Sequence, residues 1–331
     1  MSTTSEQVDE VQKVAAAPAT DIEHGESKLT STNVDKALDF LNMEEQPEPL
    51  SPEAQKALVR KIDWMLIPLL GGVYLLNYLD KVLLNFAGVM NIRQDANITT
   101  EQFGKLALVF YVAFLFCEPP HGWLMQKLPT GKYLGAMVTL WDVAVIVTCA
   151  VSNFPGLVAT RVLLGMFESA MAPALILITS MWYTRQEQPF RSGLWYCGAG
   201  VGGIIGALTS FGFQHYSGQH FKSWQIMFLV IGLITIAYGI VIYLLLPDSP
   251  MASRLSTEEK YHAIERVREN QTGIENTTFK RYQCLETLRD PQNWLFALMF
   301  SAIQISAGAI SSFQAIIISG LRFDSKESSL L

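Results

Sequence analysis

Seven apolar stretches, each of about 20 residues, follow one another between Ile62 and Ser319, separated by charged or Pro- and Gly-rich segments. A helix of that length crosses a hydrocarbon layer of about 30 Å, since it rises about 1.5 Å per residue. Soluble helices carry a polar face, whereas residues 66–76 and 226–246 are apolar on every side. A soluble bundle would need polar partners that the sequence lacks. The sequence therefore predicts an all-α polytopic membrane protein.

The apolar pattern divides the chain into five parts. The predicted helices cover residues 63–78, 103–124, 132–151, 154–182, 190–213, 224–246 and 293–319. We expect a disordered cytosolic tail (1–60), a six-helix transmembrane domain (61–246), a central loop (247–291), a seventh transmembrane helix (292–319) and a short tail (320–331). The first tail is rich in Ser, Thr, Ala, Pro and acids, a composition typical of disorder.

The distribution of basic residues predicts the orientation of the chain, because Lys and Arg near span ends favour the cytosolic side. With a cytosolic N-terminus, the basic residues of the tail, of the loops after the second and fourth spans and of the central loop all fall inside. The opposite side receives only Lys81, Arg93, Lys105 and Lys222. We therefore expect a cytosolic N-terminus. Asn97 begins a glycosylation sequon in the first outside loop and is a candidate modification site.

The central loop contains a capping box, with Ser256 followed three residues later by Glu259. Tyr261, Ile264 and Val267 follow at helical spacing. This pattern predicts a short amphipathic helix. It either lies along the inner membrane surface, packs under the helix bundle or stays solvated in the loop.

The Cys and His residues give no sign of a metal site, a disulfide framework or a cofactor. Cys117, Cys149, Cys197 and Cys284 are scattered without CxxC spacing, and the histidines do not cluster. The sequence has no HExxH motif and no nucleophile–base arrangement, so we do not expect an enzyme. The net charge of −6 comes from an acidic tail and gives no reason to expect a nucleic-acid partner.

Charged side chains inside the predicted spans cost at least about 2.5–3.5 kcal/mol each to insert, so each one needs a reason. Arg161 and Glu168 share one face of the fourth span, with Gly165 between them. Asp142 lies midway along the third span, and Glu118 precedes two prolines in the second. These groups either bind an anion and carry a proton or form buried ion pairs. The shared face favours the first interpretation for Arg161 and Glu168, and both stay open for the other two.

Asn77, Asp80 and Lys81 close the first predicted span. For Asp80 and Lys81, structural pairing or placement at the membrane interface is the favoured interpretation. In the fifth span, glycines recur at every fourth position (Gly198, Gly202 and Gly206). Small residues at that spacing let two helix backbones approach closely, which predicts tight packing and not ligand binding.

Several motifs resemble those of a known transporter family. Arg161-Val-Leu-Leu-Gly165 resembles the RxxxG motif in the fourth helix of major facilitator transporters. The run 161–191, together with NYLDK (77–81), KLPTGKYLG (127–135) and the loop 246–276, is similar to the anion:cation symporter family, especially its fungal allantoate-permease branch. Six helices followed by a long basic loop match the layout of that superfamily.

The resemblance implies the major facilitator fold and proton symport of small organic anions, such as allantoate, nicotinate or pantothenate, by alternating access. The expected partners are the lipid bilayer, the anion and a proton, and the expected location is the plasma membrane. The expected substrate and proton cavity contains Arg161, Glu168, Asp142, Glu118 and Asn77. The expected gating clusters contain Asp80, Lys81, Arg185, Glu187 and Arg191.

The length of the chain departs from the family pattern. Facilitator transporters have about twelve helices in two halves, with the substrate between them. This sequence reaches the seventh helix, so we expect an N-terminal six-helix half plus one helix, with the C-terminal half missing. Two alternatives to anion uptake stay open: an exporter of a fungal secondary metabolite, and a truncated remnant or sensor that does not transport.

Overall fold

The computed structural model describes residues 48–216, 221–268 and 281–321, and the regular secondary structure in these ranges is helical. The helices are α1 (Pro52–Val89), α2 (Ile92–Asp95), α3 (Thr100–Met125), α4 (Thr130–Cys149), α5 (Phe154–Glu168), α6 (Met171–Trp182), α7 (Gln188–Tyr196), α8 (Gly198–Phe213), α9 (Ser223–Leu245), α10 (Thr257–Arg268), α11 (Arg281–Arg289) and α12 (Pro291–Gly320). Most of the predicted N-terminal tail and nearly all of the C-terminal tail lie outside the described residues.

Six helical segments in the described ranges are long and apolar enough to cross a membrane. They are α1, α3, α4, α5 with α6, α7 with α8, and α9, which we number as the first to sixth spans. The predicted all-α polytopic architecture is thereby confirmed. The seventh predicted span forms the single helix α12, which packs against α1, and its crossing of the membrane stays a prediction.

The first span is much longer than the sequence pattern indicated. It begins at Pro52, so residues 52–60, which we had assigned to the disordered tail, form its first turns. The Ser51 hydroxyl caps this end by accepting a hydrogen bond of 3.2 Å from the Ala54 amide. At its other end the helix continues to Val89, because residues 79–89 are mostly apolar and nearly all buried. Asp80 and Lys81 therefore lie inside the helix and not at its end.

The fourth span is interrupted after Glu168, where α5 ends, and two residues separate it from the start of α6 at Met171. Pro173 has no amide hydrogen and cannot donate to the Ser169 carbonyl, which weakens the helix at this point. At the same residue, the Ser169 hydroxyl donates a hydrogen bond of 2.8 Å to the Met166 carbonyl. The break places Glu168 at a helix end in the interior of the bundle, where it is fully buried.

The glycine stripe of the fifth span is tightly packed, as predicted, and its partner is the first span. A Cβ atom at Gly198 would lie 2.5 Å from the Gly71 carbonyl oxygen, and one at Gly202 would lie 2.6 Å from the Leu75 carbonyl oxygen. Only hydrogen fits between these backbones. The two helices therefore approach each other as closely as small-residue packing allows.

The amphipathic helix of the central loop is α10, and its capping box is formed. The Ser256 amide donates to Glu259 at 2.9 Å, and the Glu259 amide donates to the Ser256 hydroxyl at 3.2 Å. Tyr261, Ile264 and Val267 are buried against the bundle, in contact with α6. Of the three positions open to this helix, packing against the bundle is the one that the structure shows.

Candidate functional site

Six polar side chains from the first, third and fourth spans meet inside the bundle. We call them the central polar cluster, which consists of Asn77, Asp80, Lys81, Asp142, Arg161 and Glu168. Five of the six side chains are at most 5% exposed, and Lys81 is 28% exposed. Ionisable groups at this depth are costly, so their collection in one place marks a candidate functional site.

Glu168 joins the first and fourth spans. Its Oε1 atom accepts a hydrogen bond of 2.8 Å from the Asn77 side-chain amide and lies 3.6 Å from the Lys81 ammonium. Its Oε2 atom is buried, and no hydrogen-bond donor in the described part of the chain reaches it. One oxygen of this carboxyl group is thus held in place, while the other is available to a proton.

Arg161 and Lys81 line one pocket. Apolar and aromatic residues of the first, second and fourth spans supply the rest of its wall: Leu84, Ala107, Phe110, Tyr111 and Leu164. The Lys81 ammonium lies 5.4 Å from the Phe114 ring centre, and the Arg161 guanidinium lies 5.9 Å from that of Phe228. The described lining contains two cations and no carboxylate. A site of this kind suits an anion with an apolar body.

Gly165 explains why Phe110 stands beside Arg161. A Cβ atom at Gly165 would lie 2.5 Å from the Phe110 carbonyl oxygen, so the second and fourth spans touch through their backbones at this point. The RxxxG spacing therefore has a geometric meaning: Gly165 admits the second span, and Arg161, one turn earlier, reaches the pocket between the two.

Asp80 and Asp142 lie behind this pocket and do not line it. Asp80 Oδ2 accepts a hydrogen bond of 3.0 Å from the Trp141 indole. The Asp142 carboxyl group, which is fully buried, lies beside that of Asp80 and near the Thr235 hydroxyl. Asp142 was expected in the substrate cavity. Its burial places it against the protein interior, because the sixth span covers that side of the third.

Glu118 is the expected cavity residue that does not belong to the central polar cluster. It is half-buried on α3 and close enough to Lys81 for electrostatic attraction, but it does not line the pocket. The neighbouring His121 is buried, with Nδ1 bonded to the Tyr133 hydroxyl and Nε2 2.8 Å from the Met166 carbonyl oxygen. No motif in the sequence pointed to this link between the second, third and fourth spans.

A second group of charges lies at the end of the bundle where α10 packs. Arg191 donates two hydrogen bonds of 3.2 Å to the Asp63 carboxylate. Arg266 donates to Glu187 at 3.1 Å and to the Trp182 carbonyl at 2.9 Å, and its burial lowers the pKa of its guanidinium. Glu187 and Arg191 thus each have an ion-pair partner that the sequence did not identify. Their gating role stays a prediction.

Four other expected residues lie elsewhere in the structure. Asp80 and Lys81 were expected at the end of the first span, but the first helix continues past them and carries them into the bundle interior. Their gating role stays a prediction. Arg185 lies exposed between the α6 and α7 helices. Asn97 is exposed in the turn between α2 and α3, and its glycosylation stays a prediction.

Comparison of the chain with known proteins points to one family. The family model described as Major Facilitator Superfamily matches residues 70–331. The thiamine pathway transporter THI73 of Saccharomyces cerevisiae is 42% identical over 85% of the chain and 54% of its own length. The allantoate permease of the same yeast is 32% identical over 93% of the chain and 58% of its own length. The chain thus spans about half the length of these curated relatives.

Solved structures agree on the fold. Two structures of a bacterial homolog of the human lysosomal transporter Spinster, both inward-facing, superpose with TM-scores of 0.61 and 0.60. They cover 80% and 85% of this chain and 57% and 58% of their own. At 16% and 14% sequence identity, they establish a shared fold and nothing about the ligand.

Proposed function

The chain belongs to the Major Facilitator Superfamily, and from that premise we propose that it forms part of a transporter that moves a small organic anion across a membrane together with a proton. The observation that carries this proposal is the pocket shared by Lys81 and Arg161. Two cations in one apolar pocket attract an anion strongly, because the local dielectric constant is low and little water competes. An anionic ligand would compete with the Glu168 carboxylate for Lys81, since the described lining itself contains no carboxylate.

Glu168 supplies the coupling in this proposal. In the absence of a ligand its carboxylate is held by Asn77 and attracted to Lys81. An arriving anion competes for Lys81 and adds a second negative charge nearby. Glu168 then takes up a proton on its free Oε2 atom. Anion and proton consequently occupy the site together, which is the requirement for symport.

The side chains of the pocket suggest the chemical class of the substrate. Phe110 and Tyr111 offer ring faces beside the two cations, which suits a carboxylate joined to a planar group such as a ureido group or an aromatic ring. Allantoate, nicotinate and pantothenate are therefore candidate substrates. The names of the relatives point to different compounds, so the charge of the pocket is the stronger guide.

Membrane orientation and location belong to the same proposal. Basic residues gather at the end of the bundle that holds α10, including Lys61, Lys132, Arg191 and Arg266. This distribution favours the cytosol for that end and hence for the N-terminus. We place the transporter in the plasma membrane, where uptake of an external anion would use the inward proton gradient.

A binding experiment tests the charge preference directly. The complete gene product in detergent or nanodiscs is titrated with allantoate, nicotinate and pantothenate, and with thiamine as a cationic control. The proposal expects at least one anion to raise the melting temperature, and the rise to vanish in Arg161→Ala. Stabilisation by the cation alone would overturn it.

A further inference from the structure

The carboxyl groups of Asp80 and Asp142 form a buried pair behind the anion pocket. Asp80 comes from the first span and Asp142 from the third, and their side chains are 1% and 0% exposed. Each carboxyl group is close enough to the other to change its electrostatic environment. This pair is distinct from the contacts of Glu168. The Oε1 atom of Glu168 accepts a hydrogen bond from Asn77 and lies 3.6 Å from the Lys81 ammonium.

The supply of hydrogen-bond donors around this pair is too small for two carboxylates. Asp80 Oδ2 has the Trp141 indole as a donor. Asp80 Oδ1 and both oxygens of Asp142 are buried, and among the described residues they have no hydrogen-bond partner. The neighbouring Thr235 hydroxyl donates its hydrogen to the Ile231 carbonyl at 3.1 Å. Three acceptor atoms are thus left without a donor, although buried acceptors are almost always paired.

The charges around the pair are also unbalanced. The charged groups near Asp80 are Glu168, Arg161 and Asp142. Those near Asp142 are Asp80 and Glu168, and Thr235 is its polar neighbour on the sixth span. Arg161 and Lys81, the two cations of the central polar cluster, also serve the anion pocket. Three carboxylates against two cations would leave one buried negative charge without compensation. Such charge is removed in proteins by taking up a proton.

We propose that Asp80 and Asp142 share one proton, held between an oxygen of each in the ligand-free protein. A single proton converts two unpaired acceptors into one O–H···O hydrogen bond and equalises the charges of the cluster. Asp142 is then a positioning residue: it touches no substrate, and it fixes the proton and the orientation of Asp80 behind the pocket. This inference rests on the proposed function for its role in transport, since it adds a second proton site to the one at Glu168.

Infrared difference spectroscopy of the complete gene product in lipid tests the pair without a transport assay. The experiment keeps Glu168, because Glu168→Gln would leave two carboxylates against two cations and remove the imbalance that calls for a proton. Aspartate labelled with ¹³C at the side-chain carboxyl carbon distinguishes the band of the pair from any band of Glu168. A protonated carboxyl group has a C=O band apart from the amide and carboxylate bands, and exchange into D₂O shifts it. We expect such a band at neutral pH, and we expect Asp142→Asn and Asp80→Asn each to abolish it.

Glu118→Gln is the matched control, because Glu118 is a half-buried carboxyl group outside the pair, and the band should survive this change. Absence of an isotope-shifted band in the labelled protein, or its survival in either aspartate variant, would overturn the shared proton. Circular dichroism confirms that each variant is folded, and a sodium titration that removes the band would show a cation site instead. Failure of the protein to take up any anion would overturn the proposed function and leave the band as an independent result.

Discussion

The Asn77 side-chain amide donates a hydrogen bond of 2.8 Å to the Glu168 carboxylate, which ties the first span to the fourth inside the bundle. Lys81 follows Asn77 by one helical turn and lies 3.6 Å from the same carboxylate oxygen. One face of the first helix thus presents a neutral donor and a cation to a single acid. A ligand that attracts Lys81 therefore changes the charge balance of Glu168 without any movement of the backbone.

Replacement of Glu168 by Gln should separate anion exchange from proton-coupled uptake. The variant keeps an oxygen that can accept from Asn77, so the two spans stay joined, but its side chain no longer binds a proton. We expect net uptake driven by a pH gradient to fall by at least about 10-fold, equivalent to about 1.4 kcal/mol, while exchange of internal for external anion continues. Counterflow and net uptake measured on the same vesicles check this, and equal loss of both would contradict it.

Replacement of Gly202 by Ala should destabilise the bundle. The added methyl group would lie 2.6 Å from the Leu75 carbonyl oxygen and force the first and fifth spans apart. Overpacking of this kind costs about 1–3 kcal/mol. Gly200→Ala is the matched control, because a Cβ atom at Gly200 meets no other atom within 4 Å. Thermal unfolding in detergent should show a lower Tm for the first variant alone, and equal Tm values would refute the close packing.

Replacement of Arg266 by Ala should release α10 from the bundle. The Arg266 side chain is 7% exposed and bonds Glu187 and the Trp182 carbonyl. Its removal leaves a partly buried carboxylate and a carbonyl without their donor, at a cost on the order of 3 kcal/mol. Arg268→Ala is the control, since Arg268 is exposed and pairs only with Glu265 on its own helix among the described contacts. Hydrogen exchange of α10 should accelerate in the first variant and stay unchanged in the second.

Acidification should weaken the attachment of α10 through Glu259. The hydrogen bond from Lys61 lowers the pKa of Glu259 below its ordinary value of 4.5. A lowered pKa in the folded state means that this contribution to stability is full above the ordinary value and is lost as the pH falls through the folded pKa. Exchange of α10 amides should therefore increase at low pH. Lys61→Met should reduce this pH-dependent step, and an unchanged step would show that the ion pair contributes nothing.

The spans, the amphipathic helix and the glycine packing could be predicted because each depends on a local pattern. Hydrophobic length alone identifies a membrane helix, and a capping box with helical apolar spacing identifies α10. The seven-residue spacing of Arg161 and Glu168 likewise fixes a common helix face. For these features the neighbours in sequence carry most of the information.

The partners in the site could not be predicted, because they are far apart in the chain. Asn77 meets Glu168 across 91 residues, and Asp80 meets Trp141 across 61. These contacts depend on how the spans are rotated against one another, which hydrophobic length does not determine. The difference at the end of the first span had the same origin. The apolar pattern alone predicts that the first span ends near Tyr78, whereas buried packing extends the helix to Val89.

The central claim is that Arg161 belongs to an anion site coupled to proton movement. Its most direct test records the pH inside sealed vesicles that contain the complete gene product while a carboxylate substrate is added outside. The account predicts acidification that depends on the anion, that persists in the exposed-residue control Arg254→Ala and that is absent in Arg161→Ala. Anion entry without acidification, or equal acidification in Arg161→Ala, would contradict it.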